Sequence, residues 1–415
     1  MSQKNSGFLP YGRQSIDADD ITAVVKVLQG DWLTTGPAVL AFEEAFASKV
    51  GARYAVACSS GTAALHLTSL ALGLTTDDTT IVPTITFLAT ANAARYVNAT
   101  VVFSDVNPDT GLMDKEHLQN ALRKCSGPVP KAVFPVHLSG QTVNMEEISD
   151  VAAEYNMRIV EDASHALGSE YTLASGEKAL VGSCRHSDMT VFSFHPVKTI
   201  AMGEGGAVTT NDEELYAKLL TFRNHGMIHE PAAMENTDMA RSISGEPNPW
   251  YYEMPDLGFN YRASDIHCAL GLSQLQKLDV FVATRRQLAS HYDKLLGSAD
   301  LPLVPTPRLD HCNPALHLYP VLVDFSALNM DRRDLMLQLR AKGIGTQVHY
   351  IPVHRQPYYQ RLYGKSDLPN ADRYYERELS LPLYASMTTD DVDHVVQTLR
   401  DVILVNNAAD KGERL

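Results

Sequence analysis

Tyr54-Ala-Val-Ala-Cys58-Ser-Ser-Gly61-Thr62-Ala-Ala-Leu65 joins a short apolar run to a Ser-Gly-Thr turn and then to residues of helical habit. A strand that ends in such a turn and feeds a helix is the opening half of a βαβ unit. The same rhythm returns at Thr80–Pro83, Val101–Asp105, Ala132–His137, Arg158–Val160 and Met189–Phe194, with helical patterns between them. It predicts a mostly parallel sheet between about Tyr54 and Thr210. Several of the runs end in polar or glycine-rich text, such as Glu161-Asp162 and Ser193 before His195. Ligands of open α/β sheets sit beyond the carboxyl ends of the strands, so chemistry is expected there.

Working outward, Met227–Pro255 shows no sustained period and reads as one long loop, a feature that tends to be functional. Ser264–Leu296 carries apolar residues at helical spacing (Ile266, Leu270, Leu275, Leu278, Tyr292, Leu295) and predicts one or two helices leading to a second domain. Further strands are expected at His317–Val323 and Thr346–His349. A chain of 415 residues exceeds one ordinary core, and the division expected is a large domain over 1–262 and a smaller α/β domain over 263–415.

The formal net charge of −14, without a cluster of Lys and Arg, argues against a nucleic-acid partner. Five cysteines lack the close pairing of zinc or redox sites, which fits a reducing cytoplasm. The opening MSQKNSGFLPYGRQ has no apolar segment of signal type, and no run approaches the ~20 residues that span a bilayer. A soluble cytoplasmic protein is expected. His349 and His354 lack the spacing of a helical ligand pair, and no metal site is expected.

Val191-Phe-Ser193-Phe-His195-Pro-Val-Lys198-Thr-Ile-Ala-Met-Gly-Glu-Gly-Gly206 sets a lysine just beyond an apolar strand and before a glycine-rich return. Burial disfavours the ammonium form, which frees the amine for a Schiff base with a carbonyl. Gly203-x-Gly205-Gly206 precedes a strand rather than a helix, so it reads as a turn and not as a dinucleotide fingerprint. Asp162, released at a strand end, suits a partner for a protonated pyridine nitrogen, although alone it reads as a helix cap. Gly61 and Thr62 open a helix and suit a phosphate. Phe87 can lie flat on a ring, or simply pack in the core. His195 suits a substrate contact or a satisfied half-buried histidine.

These four pieces in this order, with Gly258-Phe-Asn260-Tyr-Arg262, resemble the DegT/StrS nucleotide-sugar aminotransferases from Tyr11 to about Leu383. The resemblance implies the aspartate-aminotransferase-like fold, pyridoxal-phosphate (PLP) fold type I: a mostly parallel central sheet with helices on both faces, plus a smaller C-terminal α/β domain. Within the family, Ser164-His-Ala-Leu-Gly-Ser-Glu-Tyr171, Phe222-Arg-Asn-His-Gly-Met227, Ala269-Leu-Gly-Leu-Ser-Gln-Leu275, His317-Leu-Tyr-Pro320 and Gln347-Val-His-Tyr350 resemble the 4-aminotransferases of pseudaminic acid biosynthesis. Those move an amino group from L-glutamate, leaving 2-oxoglutarate, to C4 of a UDP-linked 4-keto-6-deoxy N-acetyl hexose.

Carried over by motif, the cofactor is pyridoxal 5′-phosphate and Lys198 and Asp162 are catalytic. Ser193, Gly61 and Thr62 are implied phosphate contacts, Phe87 the ring-stacking aromatic, and His165 the neighbour of the cofactor's phenolic oxygen. Asn260 is implied to reach the cofactor or substrate across the interface of a homodimer. Tyr11, Asp31, Trp32, Leu33, Thr34, Gln347, Val348, His349 and Tyr350 match positions that hold the nucleotide sugar. Two departures are Ala201-Met202, where relatives often carry threonines, and the length of Met227–Pro255. A dehydratase on this scaffold replaces the lysine by histidine, so Lys198 argues against that reading. A non-catalytic regulatory protein is disfavoured by the acidic charge and the lack of an appended helix-turn-helix.

Overall fold

The structure, a computed structural model, describes residues 7–410 except Ser126 and Asn329, with backbone alone at 405–410. Among these residues the largest sheet has seven strands: β1 (Tyr54–Cys58), β2 (Thr79–Pro83), β3 (Thr100–Ser104), β4 (Ala132–Val133), β5 (Arg158–Asp162), β8 (Met189–Ser193) and β9 (Gly206–Thr210). Their spatial order is β1-β9-β8-β5-β4-β2-β3. Strands from β8 to β3 run parallel, and β9 lies antiparallel between β1 and β8. The expected α/β fold with a mostly parallel sheet is therefore present. Burial explains the composition: β9 is buried at all five positions and β1 at four, as befits strands covered on both faces.

Two short sheets complete the strands: β6 (Glu170–Thr172) and β7 (Lys178–Leu180) with β11 (Cys312–Asn313), and the antiparallel β10 (Leu303–Pro305), β12 (Tyr319–Val323) and β13 (Glu378–Leu381). Side chains gather in two hydrophobic cores. The first holds the seven-stranded sheet and its helices, with Phe46 set edge-on to Phe192 at 5.1 Å. The second holds β10, β12 and β13 with Tyr292, Leu335 and Val395. Helix Leu278–Gly297 belongs to both, giving Leu278, Phe281 and Val282 to the first and Leu288, Tyr292 and Leu296 to the second.

Three sequence expectations need correction. The run Ala132–His137 is a strand only over Ala132–Val133, because Pro135 offers no N–H and pairing resumes as a single bridge, Val136 to Asp162. The run His317–Val323 begins pairing at Tyr319. Thr346–His349 is not a strand: only Gln347 bridges Ser380, and the His349 N–H donates to the Glu378 carboxylate at 2.8 Å instead of a ladder carbonyl. Met227–Pro255 has no long element: it carries the helical turns Pro231–Ala233 and Thr237–Ala240 and the antiparallel bridges Ile228–Glu253 and Arg241–Pro247, with Ile243 and Trp250 exposed.

Candidate active site

At one end of the seven-stranded sheet, Cys58 of β1 and Ser193 of β8 both stand opposite Gly206 of β9, while Asp162 of β5 stands beside Val191. Helix Gly61–Ala71 starts here, with Ser60 Oγ accepting the Ala63 N–H at 3.1 Å. The first N–H groups of a helix lack intrahelical partners, and the residues that open this one, Gly61 and Thr62, line a cavity of about 480 Å³ together with Ser193. The glycines are set by close approach. A methyl group at Gly61 would stand 2.8 Å from Ser193 Cβ, and one at Gly206 2.3 Å from the Ser60 carbonyl oxygen.

Lys198 and Asp162 line this cavity. Burial pulls the Lys198 amine down to about 8, against the opposing attraction of Asp162. The buried Asp162 carboxylate accepts the Thr90 hydroxyl at 2.6 Å and the Ser164 N–H at 3.1 Å, and Thr90 is braced by Thr86 at 2.8 Å. Adjacent Glu161 points to the other face of β5, where His137, Ser187 and Thr190 engage it at 2.7, 2.5 and 2.9 Å.

His165 is buried and held neutral, chiefly by burial and then by the charges of Lys198 and His349. Its Nδ1 accepts the Ser139 N–H at 3.3 Å, which places its proton on Nε2, facing the Tyr350 oxygen at 3.0 Å. The Tyr350 hydroxyl hydrogen is thus left to donate elsewhere. Phe87 is 56% exposed and lines the cavity with its ring 6.0 Å from that of Tyr350. Tyr11, His195, Gln347, Val348 and His349 also line it, and the Tyr11 ring lies 5.5 Å from His349.

Asp31, Trp32, Leu33, Thr34 and Asn260 are not among the lining residues. The segment 31–34 is fixed elsewhere: Thr34 bridges Ser264, the Leu33 carbonyl accepts the Asp265 N–H, and the Asp265 carboxylate accepts the N–H groups of Gly36 and Ala38 at 2.8 and 2.9 Å. Trp32 borders a second hollow with Arg223 and Arg262. Asn260 is exposed and bridges Asn224, whose side-chain oxygen accepts from Arg262 at 2.6 Å. Sequence reasoning missed Thr90, His317, Ser380 and Glu378. Thr90 carries no signal beyond its place one turn into a helix, but Glu378-Leu-Ser380-Leu puts two polar residues on one face of an apolar strand.

The residues present fit pyridoxal 5′-phosphate. A helix start with Ser193 suits its phosphate, an exposed aromatic suits a flat ring, Asp162 suits a ring cation, and an amine that gives up its proton more readily than a free lysine suits its aldehyde. Among the described residues, no group of three His, Cys, Asp or Glu side chains is placed to hold a metal, and no helix is long and apolar enough to cross a membrane.

The sequence model of the DegT/DnrJ/EryC1/StrS aminotransferase family matches residues 14–400. The UDP-4-amino-4,6-dideoxy-N-acetyl-beta-L-altrosamine transaminase of Campylobacter jejuni (serotype O:23/36) is 39% identical over 396 residues, 95% of this chain and 97% of that protein. PseC of Helicobacter pylori, an aminotransferase involved in the biosynthesis of pseudoaminic acid, superposes with a TM-score of 0.84 at 31% identity, covering 96% of this chain and 100% of that one. The PLP form of a Streptococcus pneumoniae sugar aminotransferase gives 0.83 at 26% identity, covering 96% and 99%.

Proposed function

Because the chain belongs to the DegT/DnrJ/EryC1/StrS aminotransferase family, we propose that it is a PLP-dependent nucleotide-sugar transaminase. In this reading it moves the amino group of L-glutamate to C4 of a UDP-linked 4-keto-6-deoxy N-acetyl hexose. The observation that carries the proposal is a buried lysine amine drawn down to about 8, sharing one cavity with a buried carboxylate, a helix start and an exposed aromatic. The likeness to the Campylobacter transaminase and to PseC supports the sugar.

Pyridoxal 5′-phosphate, when bound, supplies an aldehyde to take up the amino group and a ring to accept the electrons left when a proton departs. Lys198 would hold it through the amine, and the same amine would carry the proton that leaves the donor's α carbon. Asp162 keeps the ring nitrogen protonated, with Thr90 and Ser164 fixing the carboxylate oxygens. Gly61, Thr62 and Ser193 would receive the phosphate, Phe87 would pack against the ring, and His165 would neighbour the phenolic oxygen. Tyr11, His195, Gln347, Val348, His349 and Tyr350 receive the sugar nucleotide. Asn260 and Asp31–Thr34 do not reach the cavity of their own chain. In this proposal they act on the neighbouring site of a homodimer, which the exposure of Trp32 and Leu33 (57% and 49%) supports.

The test is to add glutamate and each C5 epimer of the UDP-4-keto sugar to the yellow holoenzyme and follow bleaching and product. Lys198→Ala should lose borohydride-trapped cofactor and at least roughly 10⁴-fold of turnover. Covalent trapping that survives in this variant, or a chain that aminates neither epimer, would refute the proposal.

A further inference from the structure

Beyond the groups assigned so far, a hydrogen-bonded chain leads out of the cavity to the face of β13 that lies opposite Leu379, Leu381 and the second core. His349 is buried yet lines the cavity. Its Nδ1 lies 2.8 Å from Ser380 Oγ, and Ser380 Oγ lies 2.6 Å from Glu378 Oε1. The other Glu378 oxygen accepts the His349 backbone N–H at 2.8 Å, so the carboxylate also fixes the residue it serves. With Nδ1 engaged, Nε2 is the ring nitrogen left to the cavity. Alternation along β13 places Glu378 and Ser380 on one face of the strand, and the Gln347–Ser380 bridge lays the segment carrying His349 against it.

We propose that His349, Ser380 and Glu378 form a proton relay that connects the cavity to a buried carboxylate reservoir. The chain has two self-consistent states. With Glu378 ionised, the Ser380 hydroxyl donates to it, Nδ1–H of His349 donates to Ser380, and Nε2 is a bare acceptor. With Glu378 protonated, each hydrogen moves one step: Glu378 donates to Ser380, Ser380 donates to Nδ1, and Nε2 carries the proton. The imidazole is neutral in both states, so no cation forms beside Lys198. A proton given by Nε2 to an oxygen in the cavity is replaced at Nδ1 from Ser380 and at Ser380 from Glu378, which ends as carboxylate. The reverse sequence stores a proton taken from the cavity.

Burial and the Lys198 charge press His349 down to about 3, while burial pushes Glu378 up to about 8. The stored proton therefore resides on the carboxylate. The groups facing His349 are Lys198, His165, His317, Tyr11 and Tyr350. Those facing Glu378 are Arg332, Tyr350 and Tyr374. Arg332 gives its hydrogens to the Tyr375 and Glu378 backbone carbonyls rather than to the carboxylate.

The use of the relay in amine transfer rests on the proposed function: the carbonyl oxygen of the sugar must leave as water, and Nε2 is placed to protonate it. The relay itself is measured without turnover. In full-length protein labelled with ¹⁵N-histidine, with and without cofactor, the proton on His349 should move from Nε2 to Nδ1 as pH rises, with its midpoint near 8. Glu378→Gln should hold one tautomer at every pH, Ser380→Ala should abolish the exchange, and Ser380→Thr should restore it. A wild-type tautomer that does not change, or one that still changes near that pH in folded Glu378→Gln, overturns the relay. In the holoenzyme, Ser380→Ala should lower kcat for the sugar half-reaction roughly 10²-fold with little change in KM. Its cofactor spectrum should be unaltered. A chain that switches tautomers but aminates no sugar would sink the proposed function and leave the relay standing. One that aminates sugar without the switch does the opposite.

Discussion

Asp162, at the end of the seven-stranded sheet, and Glu378, on the three-stranded sheet, are both buried carboxylates, and each accepts one hydroxyl and one backbone N–H. Thr90 and Ser164 serve the first at 2.6 and 3.1 Å, and Ser380 and His349 serve the second at 2.6 and 2.8 Å. What separates them is the charge nearby. Asp162 has the Lys198 amine within electrostatic reach, while the cation near Glu378 is Arg332, whose hydrogens go to carbonyls. Burial therefore dominates at Glu378 and lifts it to about 8. Two sites with the same donor set are thus suited to different work, one to holding a cation and the other to exchanging a proton.

The harshest way to break the comparison is to neutralise Asp162. Asp162→Asn keeps the shape and can still receive the Thr90 hydroxyl, but offers no charge to a ring nitrogen. Turnover should fall roughly 10²- to 10⁴-fold, while the cofactor, read by absorbance, stays bound. Undiminished kcat in this variant would remove Asp162 from the role and leave the two carboxylates functionally alike.

The unequal visibility of the two sites in the sequence has a physical cause. Asp162, Ser193, Lys198 and Gly61 lie at strand ends of one sheet, so a local reading of strand, turn and glycine already placed them together. Glu378, Ser380 and His349 meet only because Gln347 bridges Ser380 from a distant segment, and no local pattern names that partner. The alternation in Glu378-Leu-Ser380-Leu carries a signal of a polar face, but nothing in it shows what that face meets. Thr346–His349 was expected to be a strand, yet the Glu378 side chain takes the N–H that a ladder would need. Asn260 and Asp31–Thr34 matched family motifs but do not line the cavity of their own chain, and the proposed function gives them to the neighbouring site of a homodimer.

The next effect is on stability, and its sign follows from Glu378 binding its proton more tightly folded than unfolded. Between its ordinary value of 4.5 and about 8, the folded state holds a proton that the unfolded chain has lost. The contribution of this residue to unfolding free energy therefore falls as pH rises through that window, by an amount on the order of 5 kcal/mol, and is flat above it. Glu161 runs the other way. Its His137, Ser187 and Thr190 partners outweigh burial and hold it below the usual range, so its contribution is present above 4.5 and lost as pH falls through the lower folded value. Denaturant melts of wild type and Glu378→Gln at several pH values separate the two, because the difference between the curves isolates residue 378. Parallel curves from pH 5 to 8 would mean that Glu378 does not carry the proton.

The smallest effect tests whether the hydroxyl or the nearby charge defines the Asp162 site. Thr90→Val is close to isosteric and removes one donor to a charged acceptor, a loss of about 1.5 kcal/mol, or roughly tenfold. It leaves Ser164 N–H and the Lys198 interaction in place. The carboxylate should then turn more freely about its remaining contact, so kcat should drop roughly tenfold while cofactor affinity moves less. The matching change at the other site, Ser380→Val, removes a hydroxyl that in the relay also conducts the proton, and should cost more in the sugar half-reaction than Thr90→Val does. Equal losses at the two positions would mean that both hydroxyls only orient a carboxylate, and the distinction between a fixed charge and a proton reservoir would fall.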